Sequence, residues 1–153
     1  MILLDTNVLV YAVNVDAPQH SASRAILDAA LGHRLPAMLV PQVLVEFYAV
    51  VTSARRVEHP LDPEAAWKEV AGLRAALPVL EVTSGALDAL GRLVSERRAA
   101  GQHVFDLFLA AQMRAHRVNT VCSYDRAAFE GIAGIMVVTP EQLLPILSPP
   151  TET

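Results

Sequence analysis

Short apolar runs of strand length alternate along this chain with longer stretches of helical periodicity, and that alternation restricts it to α/β architectures with a largely parallel sheet. Residues 2–4 predict a buried strand, and Thr6-Asn7, both good caps, open a helical turn over residues 8–13. An Ala/Leu pattern over residues 18–34 predicts a helix ending near Gly32, and residues 36–40 predict a second strand. Pro41, at a position where the first helical turn tolerates proline, opens a helix over residues 42–56. Asp62-Pro63-Glu64 starts another that ends before Pro78. A third strand is expected over residues 78–82, then a helix capped by Thr83 or Ser84 and running to about residue 100. A helix over 104–117, a strand over 120–123, a weaker strand over 135–138 and a helix from Pro140 complete the series. The expected fold is a three-layer α/β/α sandwich formed by one domain over residues 1–147. Residues 148–153, with two prolines, are expected to be a flexible tail, and mobile loops are expected at 55–62 and 99–103.

A chain of 153 residues, 53% of them hydrophobic, can build one full core without disulfide or metal staples and is not a disordered protein. Its lone cysteine, Cys122, lies in an apolar run; this forbids an intrachain disulfide framework and predicts a buried, inert thiol in a reducing compartment. The N-terminal run meets Asp5 at once and has no basic segment before it, which is unlike a signal peptide. Every long apolar run is broken by a carboxylate, so no membrane span is expected and a cytoplasmic location is. The mean hydropathy of +0.36 is high for a small domain, as buried alanine or partner-covered apolar surface would make it. The net charge of −4 argues against coating nucleic acid with bulk positive charge but leaves room for a local basic rim. Lys68 is the one lysine among 12 basic residues, a bias that suits bidentate phosphate recognition and equally follows genome composition.

Four of the 16 acids stand alone among residues that belong in a core. Asp5 ends Met1-Ile2-Leu3-Leu4, Glu46 interrupts an apolar helix, Asp106 interrupts Val104-Phe105-Asp106-Leu107-Phe108, and Asp125 follows Thr120-Val121-Cys122-Ser123-Tyr124. An ionised carboxylate in such surroundings costs several kcal/mol unless it is paired or meets a cation. In open α/β sheets the ligand crevice lies beyond the carboxyl ends of the strands, where Asp5 and Asp125 are expected. Glu46 and Asp106 fall near the starts of their helices, so all four can face one crevice. The alternative is dispersed pairing with arginines. Glu81 and Asp88 are reserve candidates, and the remaining acids fit polar faces and caps. Oxygen-only ligands select hard cations, Mg²⁺ or Mn²⁺. His20, His33, His59, His103 and His116 show no zinc spacing. Such sites suit in-line attack on phosphodiesters.

Asp5-Thr6-Asn7-Val8-Leu9, Pro41-Gln42-Val43-Leu44-Val45-Glu46-Phe47, Asp106-Leu107-Phe108-Leu109-Ala110-Ala111 and Ser123-Tyr124-Asp125 with Phe129 together resemble the PIN-domain nucleases, and more narrowly the VapC-type toxins of bacterial toxin–antitoxin pairs. The resemblance covers nearly the whole chain in order. It implies a parallel sheet with flanking helices and Mg²⁺- or Mn²⁺-dependent endonucleolytic cleavage of RNA, leaving 5′-phosphate and 3′-hydroxyl ends. It also implies a cognate VapB-type antitoxin and a homodimer. Asp5, Glu46, Asp106 and Asp125 match the acidic quartet, with Asp5 and Asp106 as direct metal ligands and Glu46 and Asp125 acting through water, on a second ion or on the nucleophile. Thr6 and Asn7 match the polar residues that cap the first helix and hold the carboxylates; Ser123 stands where the family often has Thr.

Arg55, Arg56, Arg97 and Arg98, with Arg114 and Arg117 behind them, are candidates for RNA phosphates, or else are solvated helix ends. Tyr48 and Tyr124 are candidates for base stacking, and Trp67 is expected in the core. Two other readings remain open at this point: a PIN-type nuclease of RNA maturation or quality control without an antitoxin, and a non-catalytic PIN-like binding module. A phosphoacceptor receiver or a dehalogenase-like phosphatase would need a lysine near the site, and Lys68 sits mid-helix. No Gly-x-Ser-x-Gly elbow is present.

Overall fold

The structure is a computed structural model that describes residues 1–147; the expected tail at 148–153 lies outside the described residues. Its elements run β1 (Ile2–Leu4), α1 (Thr6–Val13), α2 (His20–Leu31), β2 (Ala37–Met38), α3 (Pro41–Val51), α4 (Pro63–Ala76), α5 (Ser84–Arg97), α6 (His103–Ala115), β3 (Thr120–Cys122), α7 (Arg126–Phe129), β4 (Met136–Val138) and α8 (Pro140–Leu147). The four strands form one parallel sheet in the order β2-β1-β3-β4. The three-layer α/β/α expectation therefore holds, in its parallel form.

The winding of the chain reverses at the β1–β3 pair, where Leu3 lies opposite Val121 and Leu4 opposite Cys122. Beyond those residues the strand ends stay fastened: the Asp5 N–H donates to the Cys122 carbonyl at 3.0 Å, and the Ser123 N–H to that of Val138 at 2.9 Å. Asp5 and Ser123 are thus delivered side by side to the crevice at the switch point. Beneath them Leu3, Leu4, Val121 and Cys122 are sealed by Val8 and Leu9 from α1, Ile26 from α2, Phe47 from α3 and Met113 from α6, all within 1% of full burial. Burial pushes the Cys122 thiol up to about 12, so the expected inert thiol is what the fold contains. No helix among the described residues is long and apolar enough to cross a membrane.

Two expectations need correction, and one short helix, α7, was not expected. Residues 78–82 do not make a full strand: Leu39 donates to the Pro78 carbonyl (2.8 Å) and accepts from the Leu80 N–H (2.9 Å), and pairing stops at the single Leu39–Val79 bridge. The reason is the partner, because β2 ends at Met38 and the chain turns into α3 at Pro41. The helix expected over 42–56 ends at Val51, where the N–H and the hydroxyl of Thr52 both return to the Tyr48 carbonyl, at 3.2 and 2.8 Å. Arg55 and Arg56 consequently lie in turns. The one-turn helix α7 carries too few residues for a periodic signal and is held by its cap, Asp125 Oδ1 accepting from the Ala128 N–H at 3.1 Å.

Phe47 is fully buried and follows Glu46 in α3, so it anchors the turn of helix that carries that carboxylate. Truncation to alanine should cost about 3–5 kcal/mol of unfolding free energy. Chemical denaturation of Phe47→Ala measures this, and a loss below about 1 kcal/mol would contradict the packing described.

Candidate active site

Asp5 is the innermost carboxylate, 9% exposed, at the point where β1 becomes α1. Its Oδ1 accepts from the Thr6 N–H at 2.7 Å, while its Oδ2 accepts from Asn7 Nδ2 at 2.9 Å and from the Ser123 hydroxyl at 2.6 Å. Ser123 in turn accepts from Asn7 Nδ2 and from the Asp125 N–H, both at 3.0 Å, and Asn7 Oδ1 accepts from the Tyr124 N–H at 3.1 Å. One web of neutral donors thus joins the ends of β1 and β3 to the segment that carries Asp125. The serine hydroxyl alone meets this need. Thr6 and Asn7 donate to Glu46 and Asp5 and Ser123 donates to Asp5, as expected of residues that hold the carboxylates, but the cap of α1 is Asp5 itself and not Thr6 or Asn7, which lie within the helix.

Glu46 reaches the same place from α3. Its Oε2 accepts from the Thr6 hydroxyl at 3.0 Å and its Oε1 from Gln42 Nε2 at 2.8 Å. Gln42 Nε2 also donates to the Phe105 carbonyl at 2.9 Å, next to Asp106, and Gln42 Oε1 accepts from Gln112 Nε2 at 2.9 Å. Gln112 is fully buried, and its own Oε1 has no partner, a deficit that typically costs about 1–3 kcal/mol.

Asp5, Glu46, Asp106 and Asp125 line one groove of about 730 Å³, together with Thr6, Asn7, Tyr11, Arg56 and Tyr124 among others. Burial, and then the charges of Glu46 and Asp106, hold the Asp5 carboxyl up at about 6 against the donation of Ser123 and Thr6. Burial and the charges of Asp125 and Glu46 also raise Asp106, with His103 opposing them. The other hollows among the described residues carry no such convergence of acids, and it is this chemistry that singles out the groove.

The donor set suits a hard divalent cation. Among the described residues the ion pairs are Arg24–Asp28 and His59–Asp16, so none of the four carboxylates is neutralised by a basic side chain, and dispersed pairing is not the arrangement adopted. No three of the four bring oxygens within 4.8 Å of one another; among the described residues the set that does so is the exposed Asp16, Glu58 and His59, elsewhere on the surface. A quartet spaced in this way fits few direct ligands with water completing the coordination.

The arginines separate by position. Arg56 lines the groove, whereas Arg55 is exposed and does not. Arg97 and Arg98 join His103 in an adjoining hollow of about 440 Å³ that shares Asp106 and Ala128 with the groove. Arg114 is occupied in donating to the Ala133 carbonyl at 2.9 Å. Tyr124 is in the groove, its ring edge-on to Tyr11 with centroids 5.4 Å apart. Tyr48 is not a groove residue; it meets Trp67 edge-on at 5.9 Å, and Trp67 is 60% exposed instead of sitting in the core. Glu81 and Asp88 are exposed and outside the groove. The residues missed from sequence are Tyr11, Gln42 and Gln112. The spacing of four between Gln42 and Glu46 and the polar interruption of Leu109-Ala110-Ala111-Gln112-Met113 are the signals that mark the two glutamines.

Comparison with known proteins points the same way. The model of the PIN domain family matches residues 2–135. VapC ribonuclease Mb2897 of Mycobacterium bovis is 34% identical over 113 residues, covering 72% of this chain and 77% of that protein. Ribonuclease VapC37 of Mycobacterium tuberculosis is 36% identical over 138 residues, covering 86% and 94%. The crystal structure of Mycobacterium tuberculosis VapC20, described as a sarcin-ricin loop cleaving toxin, superposes with a TM-score of 0.67 at 22% identity over 92% of this chain and 100% of that one. VapBC2 from Rickettsia felis, solved bound to promoter DNA, gives 0.67 at 19% identity over 91% and 98%. Both superpositions show a shared fold.

Because the folded state holds the Asp5 proton up to about 6 against an ordinary value of 3.8, the folded protein binds more protons than the unfolded chain between those values. Without divalent ions, stability should therefore fall as pH rises from about 4 to about 6 and level off above, by an amount on the order of 3 kcal/mol from Asp5. Asp106, raised for similar reasons, adds in the same direction. Thermal midpoints of the wild type and Asp5→Asn across pH 4.5–7.5, a range of about three units around that value, test this: the variant should show the shallower decline. Equal slopes would contradict the assignment.

Proposed function

The chain belongs to the PIN-domain family, and from that premise we propose that it is a metal-dependent endoribonuclease acting as the toxin of a toxin–antitoxin pair. The observation that carries this reading is the convergence of four carboxylates without basic partners at the switch point of the sheet. Relatives named VapC ribonucleases that align over most of their length support the choice of RNA as substrate.

Bound Mg²⁺ or Mn²⁺ would supply an activated water and neutralise charge on the scissile phosphate. Asp5 and Asp106 are the direct ligands in this reading. Asp106 faces the groove with no protein donor on its carboxylate among the described residues, and Asp5 keeps acceptor capacity on Oδ1 beside its single bond from Thr6. Glu46 already accepts a hydrogen bond on each oxygen, which suits contact through water. Asp125 is exposed at the rim with one oxygen bound to the Ala128 N–H, placing it to orient the attacking water or to take its proton. Arg56 on one side and Arg97 and Arg98 on the other can hold the flanking phosphates of an RNA strand laid along the groove.

A VapB-type antitoxin is the partner, supported by the VapBC complexes among the structural neighbours. A homodimer is the assembly, for which the exposed Val45, Trp67, Leu87 and Phe105 offer apolar surface. The substrate sets the working compartment as the cytoplasm.

Purified protein incubated with tRNA, rRNA and mRNA should cut RNA with Mg²⁺ or Mn²⁺ and not with EDTA. Asp5→Asn and Asp106→Asn should lower the rate at least about 100-fold while remaining folded. Cleavage undiminished in EDTA or in both variants would overturn the proposal. Arg56→Ala and Arg97→Ala should instead raise KM with little change in kcat, and flatten the salt dependence.

A further inference from the structure

The buried amide of Gln112 is not explained by packing, and its hydrogen-bond polarity can be traced link by link. Gln42 Nε2 stands between two acceptors, the Glu46 carboxylate at 2.8 Å and the Phe105 carbonyl at 2.9 Å, so this end of the Gln42 amide has to be the donor. Its Oε1 must then point the other way, toward α6, and the group it meets there must donate. Gln112 Nε2 does so at 2.9 Å, with a longer 3.3 Å contact to the Phe108 carbonyl one turn back. Turning the Gln112 amide around would satisfy its orphaned Oε1 no better and would set two carbonyl oxygens against each other. The orphan in the core is therefore the far-end consequence of the negative charge on Glu46.

Resting on the ribonuclease reading above, we propose that Gln112 is a positioning residue for Glu46, acting through Gln42. The relay fixes Glu46 Oε1 and leaves the Thr6 hydroxyl to fix Oε2. Because Gln42 also holds the backbone carbonyl beside Asp106, one amide sets the spacing between a carboxylate on α3 and a carboxylate on α6. Gln112 lies six residues beyond Asp106 on the same helix, so α6 both carries one acid and steadies its neighbour. The relay does not touch substrate or the reacting atoms; it narrows the geometry in which the acids can meet a cation.

The two roles of Gln112 separate by what its replacement changes. Were it a structural element of the core, Gln112→Met would lower stability. As a positioning residue with an unsatisfied carbonyl, its replacement by an apolar side chain of similar length removes one orphaned oxygen and leaves Gln42 Oε1 without its donor, so the thermal midpoint of the metal-free protein should change little while Mn²⁺ binding weakens. Mn²⁺ titration by calorimetry, thermal unfolding and the Mn²⁺ dependence of RNA cleavage should be measured on the wild type, Gln112→Met and Gln42→Met. Gln42→Met, which removes the direct donor to Glu46, should weaken Mn²⁺ binding by about tenfold, and Gln112→Met by a smaller but resolved factor, both shifting cleavage to higher Mn²⁺ concentration. A Gln112→Met protein with wild-type Mn²⁺ affinity overturns the relay, as does one with a clearly lowered midpoint; if that variant does not fold, unchanged affinity in Gln42→Met overturns it equally. A wild type that neither binds Mn²⁺ nor cuts RNA would overturn the functional reading and the relay together, an outcome distinct from failure of the relay alone.

Discussion

The structure is organised around the desolvation of Asp5. A carboxylate at the end of the central strand, 9% exposed, is held by three neutral donors and by no cation from the protein. Neutral donors orient it without cancelling its charge, and that distinction decides what the site can do. A guanidinium in the same place would lower the proton affinity of Asp5 and also occupy the position of a metal ion. Donors alone leave the carboxyl raised and the field negative. Thr6, Asn7 and Ser123 belong to segments that the β1–β3 pairing fastens together, so the sheet register and the electrostatics of the groove are one constraint.

The fold was readable in the chain where a local rule and the global arrangement agree. Ile2-Leu3-Leu4 ahead of the polar Thr6-Asn7 reads as strand then helix, and β1 and α1 follow it, with the cap one residue earlier, at Asp5. Pro41, and Asp62 ahead of Pro63, start helices as proline chemistry requires. Departures occur where a distant partner decides. The apolar run at 78–82 has strand composition, but its neighbour leaves the sheet after Leu39. Trp67 has core composition, but α4 turns it outward against Tyr48. Of the site, the acids were visible because each contradicts its surroundings. Gln42 and Gln112 were missed because their signals, a spacing of four from Glu46 and one uncharged amide within an apolar run, say little until the partners are known. Arg55 and Arg56 were adjacent candidates of equal standing in sequence, and only the closing of α3 at Thr52 directs one of them to the groove.

Stability is spent at the same place. A raised Asp5, a raised Asp106 and the orphaned carbonyl of Gln112 all oppose folding near neutral pH in the absence of a cation, and all three adjoin one groove or its support. Local violations concentrated at a single site are what selection for function leaves behind, since scattered defects would yield to substitution without penalty. The core beneath can bear them because it is apolar and continuous across β1, β3, α1 and α3.

The overall charge of −4 says little about whether such a protein meets RNA, and the placement of charge says why. Four carboxylates that share a groove repel a phosphodiester, so the bare groove disfavours the very substrate it is proposed to cut. On the proposed reading, Arg56 at one flank and Arg97 and Arg98 at the other would draw a strand toward the groove without neutralising its centre. A bound divalent ion would cancel part of that negative charge and present a cation directly to the scissile phosphate. Cation binding and RNA binding should therefore be cooperative, each raising the affinity for the other by the same factor, because they share the charge of the same four side chains. Basic residues placed among the acids would have removed that coupling, and with it the proposed dependence of cleavage on the ion.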